Sequence, residues 1–486
     1  MLRFCCALLF LFTCNTVISQ EMPGMTQSNY QAYNSALLNP SAPLHSKAYL
    51  DVNLLGLDLF VDNTTVAIPG DGFAWYDLLK SGYTMPKYGP YDRPVVVNTE
   101  AALHRAYVNQ RLMLPGFVYV DRNISYGLFL SHRTIVAARR VPYEMVNFGY
   151  YDLSYTPQQN ILYRDYDIRI SGLSWSEIGF NFAKTIKYRK FNITNAGLTV
   201  KRIYGAAAAF VSVDDIKYIV YNDSTIDVQN IKGKLAYSAP LNYRNNEYDS
   251  DAGPYTGSGF SVDLGVTFIK TKKEVNRIYD GPACAWQFIP YDYRLGISLL
   301  DLGYVHFDEN AYVHTYTGKG HYWEEFNKFK PENIYDALRE LSSRLYGDPT
   351  KSLTDSSFTA FLPSALSVQF DYHYKSNYYF NTLLVQDLPI FGGYRVPRES
   401  YLSFTPRYET RAFEANLPIV LYDWRTPRIG LSLRLYSFTI GTDKLGTMLG
   451  LGDVYGMDIY FSVRMAWLKG YCRAKKEKHP CGEFQF

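Results

Sequence analysis

Residues 291–307 read YDYRLGISLLDLGYVHF. Every second position gives Tyr291, Tyr293, Leu295, Ile297 and Leu299, an apolar set led by two aromatics. The interleaved set, Asp292, Arg294, Gly296 and Ser298, is polar or small. A period of two places the sets on opposite faces of one strand. In a soluble sandwich the apolar face packs into a core and the polar face meets water. In a membrane barrel the apolar face meets lipid and the polar face lines a lumen. One strand does not separate the two. The number of like strands, and the absence of any other core, does.

The pattern recurs. Phe260, Val262, Leu264, Val266 and Phe268 alternate with Ser261, Asp263, Gly265 and Thr267. Ile178, Phe180 and Phe182 alternate with Glu177, Gly179 and Asn181. Near the end, Ile429, Leu431, Leu433 and Leu435 oppose Gly430, Ser432, Arg434 and Tyr436, and Ile459, Phe461 and Val463 oppose Asp458, Tyr460, Ser462 and Arg464. The full reading comes to about fourteen or fifteen strands, many of them long enough to span a bilayer when tilted. Single-chain bacterial barrels keep even strand numbers. The fold class predicted is therefore all-β: a single transmembrane antiparallel β-barrel of about 14 strands, with one amphipathic helix in a long insertion. That helix opens at Pro331, carries Ile334, Leu338, Leu341 and Leu345 at helical spacing, and stops at Gly347. It reads as a plug, lid or loop helix. The run Gly205-Ala206-Ala207-Ala208-Ala209 predicts a close packing partner on that wall. Residues 141–171 read as a Tyr-rich loop, and Leu37–Pro43, with two prolines, as an extended, turning segment. Long and short connections show no strict alternation, so the sequence assigns no loop to either side.

The chain has 486 residues, 47% hydrophobic and 20% charged, which excludes a disordered protein. Its 45 tyrosines suit a membrane interface, where an apolar ring and a polar tip are both satisfied, although aromatics favour strands in any case. A net charge of +3 gives no case for nucleic acid. Arg3, the apolar run Cys5–Phe12, and Val17 and Ser19 before Gln20 have the form of a secretory signal. The expected organisation is a signal peptide over 1–19, an outer-membrane barrel over 20–468 and a basic tail over 469–486. No later apolar run is long enough for a transmembrane helix. Cys472 and Cys481 are a candidate disulfide closing a tail loop in an exported protein, which leaves Cys284 as a buried thiol.

No phosphate loop, nucleophile elbow or metal-binding motif is present, and no catalytic residue, metal or cofactor is assigned. His306, His314 and His321 stand near Glu324 and Glu325 without tight ligand spacing, and a solvated loop accounts for them. Ser298 reads as a small lumen residue rather than as a nucleophile. The lumen-facing candidates are Asp263, Asp292, Arg294, Asp301, Arg434, Asp458 and Arg464. They read first as a salt-bridge network filling the lumen and second as a surface for a polar or amphipathic solute. The tail run Arg473–Lys478 reads as a solvated periplasmic segment.

Several short motifs stand in a telling order: Leu38-Asn39-Pro40-Ser41-Ala42, Gly197-Leu198-Thr199-Val200-Lys201 with Tyr204-Gly205, Leu295–Gly303, the helical insertion, Phe361-Leu362-Pro363-Ser364 and Ile440-Gly441-Thr442-Asp443. Together the chain resembles an uncharacterised group of Bacteroidota outer-membrane barrels. It is similar in layout to the PorP/SprF membrane proteins of type IX secretion and, more distantly, to FadL-like fourteen-stranded barrels. The likeness spans nearly the whole mature chain. It departs in the extension after Trp467 and in lacking the peptidoglycan-binding domain of some relatives. The resemblance implies the outer membrane of a Gram-negative bacterium, contact with its lipid, and either transport of small or hydrophobic solutes or an accessory role in protein secretion beside cell-envelope proteins. The competing class is a soluble exported β-protein that binds carbohydrate or a partner protein through Tyr-rich loops.

Overall fold

The structure, a computed structural model, describes residues 22–70, 73–88, 92–249, 253–273 and 288–469. The signal segment, Cys284 and the Cys472–Cys481 pair lie outside the described residues. Fourteen antiparallel staves close into one barrel. They are β1 (Ala48–Asn63), β2 (Leu103–Met113 and Gly116–Asp121), β3 (Ile124–Pro142), β4 (Leu162–Arg189), β5 (Asn192–Val220), β6 (Gly257–Thr271) and β7 (Tyr291–Phe307), followed by β8 (Phe358–Phe361 and Ala365–Lys375), β9 (Tyr378–Asp387), β10 (Tyr401–Glu409), β11 (Phe413–Asn416 and Ile419–Tyr422), β12 (Thr426–Ile429 and Leu431–Leu435), β13 (Phe438–Thr442) and β14 (Gly456–Leu468). Each pairs with the next, and β14 returns to β1 with Leu57 opposite Phe461, so the wall has no free edge across the membrane.

The faces settle the choice between sandwich and barrel. Ile178, Phe180, Phe260, Ile297 and Leu435 are all exposed, Phe180 at 54%, while Asn181, Asp263, Ser298 and Arg434 are buried. Apolar ladders point outward on stave after stave, and among the described residues no second sheet covers them. A water-soluble protein does not expose apolar surface on that scale. A bilayer covers it, and the polar faces fill the inside. This is the architecture of an outer-membrane β-barrel.

Once the staves are known, most short connections fall at one end and most long ones at the other. The alternation is not strict, as the sequence reading has it: 272–290 is long among the short turns and 423–425 is short among the long loops. Residues 122–123, 190–191, 376–377, 410–412 and 436–437 are tight turns at one end, where β1 also starts and β14 finishes. The segments 64–102, 143–161, 221–256, 308–357, 388–400 and 443–455 all lie at the other end. The end with most of the short turns is the periplasmic one, and the end with most of the long loops is the outer face. The sequence concealed this sidedness because strands continue into what read as loops. β4 begins at Leu162, inside the expected loop 141–171, and α2 (Tyr143–Tyr151) occupies the start of that loop.

β5 changes partner on its way out. Up to Gly205 it pairs with β6, and from Ala208 with the strand Ile226–Ser238, which in turn pairs with Ala311–Lys319. A bulge at Ala206 marks the change. The small-residue run then serves both faces. Ala208 and Phe210 join the apolar interior with Phe358. Ala207 and Ala209 receive Ile334 and Leu338 of α3 (Ile334–Tyr346) on the outside. Of the three roles that the sequence allows it, plug, lid or loop helix, the structure shows a loop helix lying against the outer wall. Asn333, rather than Pro331, caps it by accepting the Asp336 N–H, and Gly347 ends it at φ 72°.

Candidate functional site: a plugged, charge-lined lumen

The lumen is filled from the periplasmic end by residues 22–47, nearly all of them buried. This segment carries no strand or helix period, and the sequence reading gave it no place in the barrel. It folds into a short helix, α1 (Ala32–Ala36), and a 3-10 turn, Ala42–His45. Side chains of the wall satisfy its backbone. Arg294 and Arg407 donate to Gln27 O, each at 2.8 Å, Asn181 donates to Pro40 O at 3.1 Å, and Ser298 Oγ donates to Leu38 O. The Tyr33 N–H donates to Asp51 Oδ2 at 2.9 Å. Its side chains bind the wall too: Ser28 to Glu414, Asn29 and Lys47 to Glu409, Asn39 to Gln369, and Ser41 to Thr267. A buried polar segment is tolerable only when most of its polar groups find partners, and here Thr26 Oγ1, Gln31 Nε2, Asn34 Oδ1 and His45 Nε2 are buried without one.

Three inward glycines form the seat. A β-carbon on Gly197 would lie 2.5 Å from the carbonyl carbon and oxygen of Pro40. One on Gly265 would lie 2.2 Å from Asn39 Oδ1, and one on Gly296 2.8 Å from Asn39 Nδ2. Gly265 pairs across the wall with Gly197, and Gly296 with Thr267. The Asn39-Pro40-Ser41 turn thus rests on backbone rather than on side chains. Beside the seat is a cavity of ≈ 40 Å³, bordered by Gln27, Leu38, Ala42, His45, Thr267 and Asp371.

Above the seat stands an ionic hub built on a bulge. Leu300 and Asp301 together oppose Asp263, and Asp301 takes φ 53°. Strict alternation from Leu299 would aim Asp301 at lipid. The extra residue turns it inward. Asp301 then accepts from Arg133 at 2.8 Å, Lys201 at 2.7 Å and Arg398 at 3.0 Å, while its own N–H donates to Asp263 Oδ1. Lys201 also holds Asp263 at 2.7 Å, and Glu177 lies 3.6 Å from Arg111. The Arg133 guanidinium sits 4.8 Å over the Trp175 ring. A lower belt holds the plug, with Asp371 between Arg294 and Arg407, Glu409 between Lys47 and Arg407, Arg434 on Glu414 and Arg464 on Asp51.

Beyond the hub, the interior turns apolar. Ile135, Leu173, Trp175, Ile203, Phe307 and Phe358 belong to one buried cluster that reaches down to Leu38 at the tip of the plug. At the outer mouth a second carboxylate gathers cations: Asp62 meets Arg428 at 2.6 Å, Lys444 at 3.0 Å and Arg105 at 3.5 Å. From periplasm to outside the lumen therefore runs plug, ionic hub, apolar layer and ionic mouth.

Of the residues singled out in the sequence, Asp263 and Asp301 meet at the hub, and Arg294, Arg434 and Arg464 hold the plug belt. Asp458 stands apart near the mouth, accepting from the Asp443 N–H. Asp292 is only half-buried and outside these ion pairs. Its neighbour corrects the first strand reading. Tyr291, expected on the lipid face, is fully buried, and its hydroxyl donates to Asp371 and lies 3.1 Å from Asn29 Oδ1. His306 bonds Thr359, and His314 bonds Ser352. The sequence reading does not single out Arg133, Lys201, Asp371, Arg407 or Glu409, and it takes Glu177 only as part of a polar face. Arg407, between Pro406 and Tyr408, carries an alternation signal, whereas Arg133, between His132 and Thr134, does not.

No protein of curated description matches the sequence. Among solved structures, the toluene transporter TodX of P. putida is similar at 9% identity and a TM-score of 0.41, covering 93% of this chain and 96% of that one. The toluene transporter TbuX of Ralstonia pickettii has 9% identity, a TM-score of 0.38 and coverage of 94% and 96%. A FadL homologue of Pseudomonas aeruginosa has 11% identity, a TM-score of 0.27 and coverage of 92% and 98%. At these scores the fold rests on the chain's own ladder of pairings and not on the likeness. A family model matches residues 40–443, from the seat of the plug to the last loop, and the chain belongs to that family, the family of unknown function DUF5723.

Proposed function

We propose that this barrel carries small apolar or amphipathic solutes across the outer membrane. The observation that supports the reading is the apolar layer inside the lumen. A water-filled pore is lined by polar residues throughout. Here Leu173, Phe307 and Phe358 close the interior between two ionic layers. Such a layer opposes ions and sugars, whose desolvation costs several kcal/mol, and accepts a hydrocarbon or aromatic body. The plug tip, Leu38, belongs to the same cluster, so movement of the plug would open the layer from below. The hub and belt hold the plug by charge-assisted bonds, which break and re-form without a covalent step.

Uptake in proteoliposomes tests this. A small aromatic hydrocarbon should enter faster than a hexose of similar size. Phe307→Glu, which puts a charge in the layer, should lower that uptake more than tenfold while the barrel stays folded. Equal entry of hydrocarbon and hexose, or uptake unchanged in Phe307→Glu, rejects the proposal. The other role implied by the resemblance, service to protein secretion, makes the opposite prediction: a deletion strain loses secreted proteins and keeps its solute uptake.

A further inference from the structure

Among the described residues, the periplasmic rim carries most of its exposed charge on one side. Around the tips of β2 to β6, seven described bases are exposed, Arg122, Lys184, Lys187, Arg189, Lys190, Lys272 and Lys273, against one described exposed acid, Asp121. Around the tips of β8 to β14, the exposed bases are Lys375 and Arg411. The arc is continuous in the wall: Ile124 pairs with Lys184, Asn192 pairs with Lys270, and the Thr271 N–H donates to Phe191 O. We propose that this arc is a binding surface for the phosphodiester headgroups of anionic phospholipids in the periplasmic leaflet.

Two features favour lipid over the anionic cell-wall polymer below it. Lys184 continues the outward ladder of Ile178, Phe180 and Phe182, so it leaves the wall on the lipid-facing side. Ile186, beside it, is 65% exposed, and Tyr188 and Phe191 are exposed at the hairpin tip. That side chain set needs acyl chains next to its cations. Aromatic rings followed by basic residues mark the headgroup level of a bilayer, where a lysine stem lies along the chains and the ammonium reaches the phosphate. Clustered bases at that level attract anionic lipid, and salt screens the attraction.

Native mass spectrometry of the purified full chain with added phosphatidylglycerol or phosphatidylcholine tests the proposal. The wild type should retain phosphatidylglycerol at least tenfold better, and the preference should fall as salt rises. K184Q/K187Q/R189Q/K190Q should lose the preference, whereas K375Q/R411Q should keep it. If the fourfold variant does not give the heat-dependent gel shift of a folded barrel, K187Q/R189Q at the exposed hairpin tip replaces it. Equal retention of both lipids by the wild type, or an unchanged preference in the variants, overturns the proposal. So does co-sedimentation with purified cell-wall sacculi that the variant loses while its lipid retention stays at wild-type level.

Discussion

Gly197 and Pro40 touch backbone to backbone: a β-carbon on the glycine would stand 2.5 Å from the proline carbonyl. Neither side of that contact can yield by turning a side chain, so the plug must move if the position is filled. Gly197→Leu is expected to lift the Asn39-Pro40-Ser41 turn while leaving the wall pairings intact. Protease access to the 22–47 segment and conductance in planar bilayers should both rise, with the heat-dependent gel shift unchanged. Overpacking of this kind costs on the order of 1–3 kcal/mol.

Asp301 is the carboxylate around which Arg133, Lys201 and Arg398 converge. Asp301→Asn leaves buried cations without their partner, a loss of roughly 3–5 kcal/mol. Urea unfolding in detergent should show it. Pairing the change with Arg398→Met removes one cation that Asp301 holds and should restore a measurable part of the loss. Two equally destabilised variants would mean that the network matters through packing rather than charge.

Phe180 lies on the lipid face and Asn181, its neighbour, inside. Phe180→Arg should cost about 2–4 kcal/mol if that face meets the bilayer core. In a water-soluble protein, an arginine at a 54% exposed position would cost next to nothing.

The outer extension carries a pH dependence. Asp165, on the part of β4 beyond the membrane, has its carboxyl pushed up to about 6, first by burial and then by the nearby Glu144 of α2. A carboxyl raised in the folded state binds a proton more readily there than when unfolded. Its contribution to stability is full below about pH 4 and is lost as the pH climbs through 6. Hydrogen exchange over Leu162–Ile168, corrected for the intrinsic rise of amide exchange with pH, should therefore quicken between pH 4 and 7. Asp165→Asn, which mimics the protonated form, should flatten that rise.

The wall was readable because its physics is local. A period of two, kept over Phe260–Phe268 or Ile429–Leu435, fixes which residues face lipid, and counting such runs gives the barrel. Interior chemistry was readable wherever alternation held, as for Asp263, Arg294 and Arg434. It failed where one extra residue shifts the phase. Tyr291 turns inward next to a register shift, and the inward turn of Asp301 depends on its bulge. The plug was invisible for a different reason. Residues 22–47 owe their shape to partners more than two hundred residues away, such as Gln369 for Asn39 and Glu409 for Asn29. The motifs that carried the resemblance, Asn39-Pro40-Ser41, Gly197 and Gly296, prove to be the two sides of that contact.

The most direct test of the account locks the plug in place. Ser41 Oγ and Thr267 Oγ1 are 2.6 Å apart, within reach of a disulfide once both are cysteine. Ser41→Cys/Thr267→Cys, with Cys284, Cys472 and Cys481 changed to Ser, would be placed in proteoliposomes and assayed for entry of a small aromatic hydrocarbon. The account predicts that the oxidised protein blocks entry and that reduction restores it to the level of the single-cysteine controls. Entry at the same rate in both states would contradict a path through the lumen past the plug.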